Sequence, residues 1–349
     1  MTVEMVPYDE FSMFHENASE FGLAYDGPPV VRRERVDLDN GRHISALIWG
    51  EGPPELVLLH GGAQNAHTWD TVALALGRPL VCIDLPGHGH SGPPRTGSAD
   101  VFGNATDVAD AVRALGAQAS AVVGMSLGGM TMLALAGHAP ELVRKAVLVD
   151  VTPGIDEKKS SSIAAFINGP ESFDSFDDLL ARTIEFNPTR TVESLRRGIL
   201  HNAEQRPDGS WVWRYARFRV SDTGGGSRVS ETGGGSRVSD MGGGGGVSDM
   251  GGGGRVSETG GGGRVSDMGG EGFPRFGDLW DVVSELTVPL MLVRGMREQS
   301  VVDDADEAEL IRRCPTARVE HVQNAGHSVQ GDTPRELAAL IEDFVFGRA

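Results

Sequence analysis

A serine between two glycines is the first residue of this sequence whose type and spacing could do chemistry. The segment AVVGMSLGGM places Gly124, Ser126 and Gly128 in the pattern G-x-S-x-G, where an apolar run ends and a helical pattern begins. Small neighbours let a strand turn sharply into a helix, which raises the serine hydroxyl above the sheet edge. Ser126 is therefore a candidate nucleophile, although the pattern by itself also suits a small residue in a crowded turn.

The backbone around such a turn could stabilise negative charge. The first helical N–H groups point at the serine and could bind a developing oxyanion. A second loop, after the run LVLLHGG, contains glycines that let another backbone N–H approach the same point, opposite the N–H of Leu127. We interpret His60 in that loop, and His88 and His90 in PGHGHSG, as loop scaffolding, because a lone H-x-H pattern is weak support for a metal site.

A third loop supplies a candidate base. NAGHSVQGDTP lies between the last predicted strand and the last predicted helix, and it contains His327. From there an imidazole can reach across the strand ends to a serine. The chain order, with serine first and histidine last, favours the pairing of Ser126 with His327.

These loops must be positioned by the elements that precede them. Short apolar runs recur along the chain, with helical patterns such as NATDVADAVRALG and LGGMTMLALAGHAP between them. After an initial hairpin across DNG, the runs are continuously hydrophobic, as in strands that are covered on both faces. This predicts an α/β fold with about eight mostly parallel strands, an antiparallel start and helices on both faces. The predicted strands lie within 30–38, 43–50, 55–61, 79–85, 120–126, 145–151, 289–295 and 317–322.

One interval breaks this alternation. No clear strand is predicted between Val151 and Pro289, and residues 155–206 carry helical patterns. We interpret them as an inserted helical lid, the alternative being that these helices belong to the sheet layers. The predicted organisation is an N-terminal extension at 1–25, a first core part at 26–151, the lid at 152–218, a glycine-rich repeat at 219–272 and a second core part at 273–349.

The repeat consists of six copies of a nine-residue unit, R-V-S-(D/E)-(T/M)-G-G-G-(S/G). Its acidic residue falls at the wrong offset for the calcium-binding nonapeptide roll. One valine against three or more glycines cannot offset the entropy of ordering so flexible a chain. We therefore predict a disordered, solvent-exposed loop.

Charge and composition exclude several classes of function. The net charge is −18, and the densest basic stretch holds only Arg32, Arg33 and Arg35, which argues against a nucleic-acid partner. We find neither a signal-peptide pattern nor an apolar run of roughly 18 residues, so no membrane segment is predicted. The two cysteines, Cys82 and Cys314, fit no zinc spacing and no disulfide framework, which favours a reducing cytoplasm.

Taken together, LLHGGAQNAHTW, DLPGHGHSG, VVGMSLGGM and NAGHS resemble the α/β-hydrolase fold family. The resemblance spans the chain apart from the N-terminal extension and the repeat. It implies Ser126 as nucleophile, His327 as base, and the backbone N–H groups of Leu127 and Gly62 (or Ala63) as oxyanion hole. It is similar in style to the lidded esterases, enol-lactonases and carbon–carbon-bond hydrolases, and Ser126 excludes the branches with a nucleophilic aspartate.

The resemblance leaves two candidates for the acid that orients the base. Most family members place an aspartate three residues after the glycine that ends the seventh strand, a position that Glu298 occupies here. Others use the end of the sixth strand, which here carries Asp150. Because the sixth strand lies beside the nucleophile strand, we prefer Asp150, with Glu298 as the alternative.

The predicted activity is hydrolysis of a small carboxylic ester, lactone or related acyl compound through an acyl-enzyme. The expected partner is a small-molecule acyl substrate, and neither a metal nor an organic cofactor is implied. Apolar faces of the lid suggest a small apolar or aromatic substrate. The alternatives are a ligand-binding signalling protein of the same fold with little turnover, and a cofactor-free peroxidase or acyltransferase.

Overall fold

The predicted strands are present, in the predicted order. The computed structural model describes residues 5–95, 100–188, 190–216 and 276–347. The strands in these ranges are β1 (Val31–Asp37), β2 (His43–Trp49), β3 (Leu56–Leu59), β4 (Leu80–Asp84), β5 (Ala121–Met125), β6 (Ala146–Val149), β7 (Ser172–Phe173), β8 (Ala203–Gln205), β9 (Trp211–Trp213), β10 (Leu290–Gly295) and β11 (Arg318–Val322). The α-helices are α1 (Phe14–Glu20), α2 (Asp70–Leu76), α3 (Val101–Ala114), α4 (Leu127–His138), α5 (Ser161–Ile167), α6 (Phe176–Phe186), α7 (Val192–Asn202), α8 (Leu279–Glu285), α9 (Asp304–Arg313), α10 (Val329–Asp332) and α11 (Pro334–Phe346).

Eight of these strands form one sheet in the order β1-β2-β4-β3-β5-β6-β10-β11. β2 pairs antiparallel with both β1 and β4. The remaining neighbours in this sheet pair in parallel. The predicted α/β fold, with an antiparallel start and about eight mostly parallel strands, is therefore confirmed.

Helices cover both faces of the sheet. In β3, Val57 and Leu59 belong to the apolar cluster that also contains residues of α3, α4 and α8. Leu56 and Leu58 point the other way, into a cluster with residues of α1, α2 and α11. All four side chains are fully buried. With no face left in water, the strand needs no polar alternation, and this explains the continuous apolar runs in the sequence.

The prediction that no strand lies between Val151 and Pro289 is wrong. The short strands β7, β8 and β9 form a second, antiparallel sheet in the order β7-β9-β8. Strands of two or three residues are too short to show an alternating pattern. In addition, β8 continues directly from α7, so the helical pattern that we extended to Gln205 hid the end of the helix at Asn202. Helices α5, α6 and α7 lie where helices were predicted.

The N-terminal extension contains a helix that packs on the core. Phe14 of α1 is 1% exposed, and its ring meets Trp49 of β2 edge-on, with 4.9 Å between ring centroids. On its other side, Asn17 accepts a hydrogen bond of 2.8 Å from Nε of Arg197, which also pairs with Glu20. Helix α1 therefore connects the sheet core to α7.

Some predictions concern residues outside the described ranges. The glycine-rich repeat at 219–272 is one of these, so its disorder stays a prediction, as do the domain boundaries and the cytoplasmic location. Among the helices that the structure describes, none is both long and apolar enough to cross a membrane.

The packing of α1 predicts a large effect on stability from one residue of the extension. Phe14→Ala should lower the free energy of unfolding by about 3 kcal/mol, because it empties a buried aromatic site. Phe102→Ala is the matched control: that side chain is 52% exposed, and its loss should change the free energy by less than about 0.5 kcal/mol. Equal denaturation midpoints for the wild type and Phe14→Ala would show that α1 adds nothing to the core.

Candidate active site

Three unusual backbone positions occur at the carboxyl ends of the central strands. Among the described residues, Ala63, Ser126 and Asp150 are the non-glycine residues with positive φ, at 58°, 51° and 47°. They follow β3, β5 and β6, which are neighbours in the sheet. Such a conformation costs on the order of 1–3 kcal/mol when a Cβ is present, and it tends to persist at functional sites. Three predicted site residues thus share one strained feature.

Ser126 occupies the turn between β5 and α4. A Cβ at Gly128 would collide with the carbonyl oxygens of Leu59 and His60, and a Cβ at Gly124 would collide with the carbonyl group of Gly128. Helix α4 therefore packs against β3 and β5 more closely than a larger residue at either glycine would allow. Ser126 itself keeps some exposed surface and borders a cavity.

The ring of His327 is hydrogen-bonded to Asp150. Nδ1 of His327 lies 2.9 Å from Oδ2 of Asp150, across 177 residues of chain. An ionised carboxylate can only accept, so Nδ1 carries the proton and Nε2 is left as an acceptor. His327 follows β11 and borders the same cavity as Ser126. Histidine and acid are thus brought together at the end of the sheet where the serine lies.

The Asp150 carboxylate is fully buried and surrounded by donors. Oδ1 accepts from the N–H of Gly295 at 2.9 Å and from the hydroxyl of Ser300 at 2.6 Å. Oδ2 accepts from the N–H of Val301 at 3.1 Å as well as from His327. These donors occupy both carboxylate oxygens and fix the orientation of the carboxylate toward the imidazole.

Glu298, the alternative acid, is exposed in the loop after β10. The same loop turns back at the next residues, so that Ser300 and Val301 reach Asp150. Within the described part of the chain, the Glu298 carboxylate has neither a hydrogen bond nor an ion pair. Glu298 lies three residues after Gly295, as the family pattern places the acid, but the path of the loop leaves its side chain in solvent.

Two backbone amides near Ser126 have no acceptor among the described residues. Leu127 begins α4, so its N–H lies ahead of the helical hydrogen bonds. Gly62 lies in the turn after β3. A Cβ added at the preceding residue, Gly61, would lie 3.3 Å from the Cβ of Ser126. Ala63, the alternative, donates its N–H to Nε2 of His88 at 3.2 Å. Of the two predicted positions, only Gly62 has an uncommitted amide.

His60 and His88 both use their ring nitrogens to hold loops. Nε2 of His60 accepts from the N–H of Leu85 at 2.9 Å, and its Nδ1 donates to the carbonyl of Gly61 at 2.7 Å. Nδ1 of His88 donates to the carbonyl of Pro86 at 3.1 Å. Burial lowers the pKa of His88 to about 3 and also lowers that of His60. These buried neutral rings act as scaffolding, as interpreted from the sequence.

A second buried carboxylate, Asp84 at the end of β4, fixes the loop that carries Gly62. Its Oδ1 accepts from the N–H of Ala66 at 2.7 Å, and its Oδ2 accepts from the N–H of His90 at 3.0 Å and from Arg33 at 2.9 Å. Burial acts to raise the pKa of Asp84, but the Arg33 charge and these hydrogen bonds outweigh it and hold the pKa below its usual range.

A cavity of about 320 Å³ adjoins Ser126 and His327. One wall is aromatic and apolar: Ile163 and Phe166 of α5 meet Trp213 of β9, with 5.6 Å between the Phe166 and Trp213 ring centroids. Helix α1 and the segment between α6 and α7 also contribute. The sequence predicted that apolar faces of the lid would shape the substrate site, and Phe166 lies on one of them. It did not predict that Trp213 joins this wall, because only tertiary packing brings α5 and β9 together.

The profile of the alpha/beta hydrolase fold family matches residues 54–334. That range includes the strained serine turn, the Gly62 loop and the buried acid with its histidine. The chain belongs to the α/β-hydrolase fold family. The resemblance inferred from the sequence is therefore confirmed.

Individual relatives of this α/β-hydrolase include an esterase. Esterase Rv0045c of Mycobacterium tuberculosis is 38% identical over 346 residues, which are 97% of this chain and 96% of the relative. A structure of that esterase, from work on its transition metal inhibition, is 37% identical with a TM-score of 0.74 and covers 98% of this chain and 100% of its own. The 2-(acetamidomethylene)succinate hydrolase of Mesorhizobium japonicum is 30% identical over 134 residues, 38% of this chain and 47% of that relative.

One group of described residues in this α/β-hydrolase could hold a metal ion. His67, Asp70 and His201 are buried, with candidate ligand atoms within 4.8 Å of one another. However, Nδ1 of His67 lies 2.9 Å from Asp70 and Nε2 lies 3.1 Å from Glu10. Burial acts to lower the pKa of His67, but the two carboxylates outweigh it and raise the pKa to about 9. In this structure both ring nitrogens of His67 are thus engaged by carboxylates.

The His67 network predicts a loss of stability toward alkaline pH. A raised pKa in the folded state stabilises the protein fully below the ordinary value of 6.5, and this contribution disappears as the pH rises through about 9. The loss should be on the order of 1–3 kcal/mol between these values. Chemical denaturation from pH 6.5 to 9 measures it.

Two histidine variants make that measurement specific. His67→Gln should remove most of the decline, since a glutamine carries no titrating charge there. His138→Gln, at an exposed position of α4, should leave the decline as in the wild type. An unchanged decline in His67→Gln would mean that another group causes it.

Proposed function

We propose that this chain is a serine hydrolase that cleaves a small carboxylic ester, lactone or related acyl compound. The observation that carries the proposal is the 2.9 Å hydrogen bond between His327 and the buried Asp150, beside the cavity that Ser126 borders on its strained turn. The esterase relative, which aligns over nearly the full length of both chains, supports the same substrate class.

In the first half of the proposed reaction, His327 acts through Nε2, because its Nδ1 proton is committed to Asp150. Nε2 takes the proton from the Ser126 hydroxyl as Oγ attacks the carbonyl carbon. The new oxyanion accepts hydrogen bonds from the N–H groups of Leu127 and Gly62. Collapse of this intermediate expels the alcohol, which receives the proton from Nε2, and leaves an acyl group on Ser126.

Water completes the cycle. His327 removes a proton from a water molecule that attacks the acyl-enzyme, and the same two amides again hold the oxyanion. When the second intermediate collapses, Ser126 recovers its proton from Nε2 and the carboxylic acid leaves. Neither step calls for a metal or an organic cofactor.

We assign the acid to Asp150 rather than Glu298. Asp150 contacts the imidazole directly, and the donors of Gly295, Ser300 and Val301 hold its carboxylate in place. During catalysis this carboxylate would stabilise the imidazolium and hold its tautomer. Among the described residues, Glu298 has neither a hydrogen bond nor an ion pair through which it could do so.

Labelling with a fluorophosphonate probe tests the nucleophile. The wild type should be labelled and Ser126→Ala should not, since the probe phosphonylates only an activated serine. Ser162→Ala removes another cavity serine and should still be labelled. Circular dichroism checks that each variant is folded. Persistent labelling of folded Ser126→Ala would overturn the assignment.

The two acids can be separated by their amide variants. Asp150→Asn should lower kcat for a p-nitrophenyl ester by up to about 10⁴-fold, because the carboxylate charge is lost and an amide N–H facing Nδ1 would hold the imidazole in the wrong tautomer. Glu298→Gln should change kcat by less than about threefold, since it alters an exposed group that has no partner among the described residues. A dead Glu298→Gln variant with an active Asp150→Asn variant would reverse the assignment. The wild type must also turn over many substrate molecules per site if it is an enzyme, because a single slow acylation would indicate a receptor.

A further inference from the structure

Arg190 places an unpaired positive charge beside the catalytic cavity. Its side chain lines the same cavity as Ser126 and His327. The guanidinium donates one hydrogen bond, from Nη2 to the hydroxyl of Ser194 at 2.5 Å. Within the described ranges, no carboxylate forms an ion pair with it. Four of its five N–H donors therefore lack a protein acceptor there.

The two acids that attract Arg190 also bind other groups. Oδ2 of Asp332 accepts from the N–H of Gly326 at 2.9 Å. Glu20 pairs with Arg197 and accepts from the hydroxyl of Thr191 at 2.6 Å. Both acids exert some attraction on Arg190, but burial outweighs it and lowers the pKa of Arg190. A cation in such surroundings is costly unless an anion compensates it.

The Arg190 guanidinium lies against the segment that follows His327. A Cβ added at Gly331 would collide with Nη1 of Arg190 and would lie 2.9 Å from the hydroxyl of Ser328. Gly331 belongs to the short helix α10, which begins two residues after His327. Arg190 thus packs against the segment that carries the proposed base, and its free N–H groups can reach a ligand in the cavity.

We propose that Arg190 binds an ionised carboxylate of the substrate, so that the preferred ester is the half-ester of a short dicarboxylic acid. This rests on the proposed ester hydrolysis. A carboxylate matches the fork of guanidinium donors and can accept two parallel hydrogen bonds. The aromatic wall of α5 and β9 packs along the methylene chain, while Arg190 fixes its charged end. The cavity of about 320 Å³ limits the substrate to a short chain.

The test compares charged and neutral esters of the same shape. Monomethyl succinate, glutarate and adipate are each paired with the methyl ester in which an isopropyl group replaces the carboxylate. The measured quantity is the ratio of kcat/KM for the half-ester to that for its neutral partner. For the best-fitting chain length, Arg190→Gln should lower this ratio about 10- to 100-fold, the effect of losing a charge-assisted, bidentate contact.

Two further variants separate recognition from structural support. Arg190→Lys keeps the charge but not the fork, so its ratio should fall between those of the wild type and Arg190→Gln. Arg196→Gln removes an exposed arginine of α7 that is absent from the cavity lining, and it should keep the wild-type ratio. If Arg190 only supports the fold, Arg190→Gln lowers both kcat/KM values together and the ratio stays constant, which overturns the proposal.

A binding arm distinguishes failure of this inference from failure of the proposed function. In Ser126→Ala, which should not turn over, calorimetry should detect glutarate binding that weakens at least tenfold in Ser126→Ala/Arg190→Gln. If Ser126→Ala still hydrolyses esters, the proposed function fails. The role of Arg190 can then still be judged, because glutarate is not hydrolysed and its binding does not depend on catalysis. Equal or absent glutarate binding in both variants overturns the role of Arg190.

Discussion

The hydrogen bond between His327 and Asp150 is the interaction on which the rest of this site depends. It joins the end of β6 to the loop after β11, and the buried carboxylate gathers donors from the end of β10 and the loop that follows it. Close packing supports this convergence: a Cβ at Gly295 would collide with the carbonyl oxygen of Gly326, next to the histidine. A shift in any of these segments would leave a buried charge short of partners, which is costly.

On the β4 side of the site, a second buried carboxylate also holds loops through several hydrogen bonds. Asp84, at the end of β4, ties together the Gly62 loop, the His90 loop and Arg33 of β1. Two buried carboxylates at the carboxyl ends of parallel strands thus organise the loops on either side of Ser126. Irregular loops gain fixed positions in this way, and an uncommitted amide such as that of Gly62 can be held ready for an oxyanion at little reorganisation cost.

The sequence predicted the parts of this arrangement that local physics determines. Continuous apolar runs give buried parallel strands, and a serine between glycines at a strand end gives a tight turn. Local pattern could not decide between Asp150 and Glu298, because the answer depends on how the loop after β10 returns to bring Ser300 and Val301 onto the carboxylate. It also could not decide between Gly62 and Ala63, since the Ala63 amide is taken by His88, 25 residues further along.

The missed features have a common physical cause. The strands β7, β8 and β9 are too short for a periodic signal, and they share one apolar cluster with residues of α6 and α7. Arg190 lies in no recognisable motif, and it stands out because it lines the cavity and forms no ion pair among the described residues. Such features are properties of tertiary contacts, so only the folded chain reveals them.

The far-downfield region of the proton NMR spectrum offers the most direct test of whether Asp150 holds the Nδ1 proton of His327. A proton shared between an imidazole and a buried carboxylate resonates far downfield of the amide envelope. We expect such a resonance in the wild type and in Glu298→Gln, and we expect it to disappear in both His327→Ala and Asp150→Asn. Survival of the resonance in folded Asp150→Asn, or its loss in Glu298→Gln, would show that Asp150 does not hold this proton.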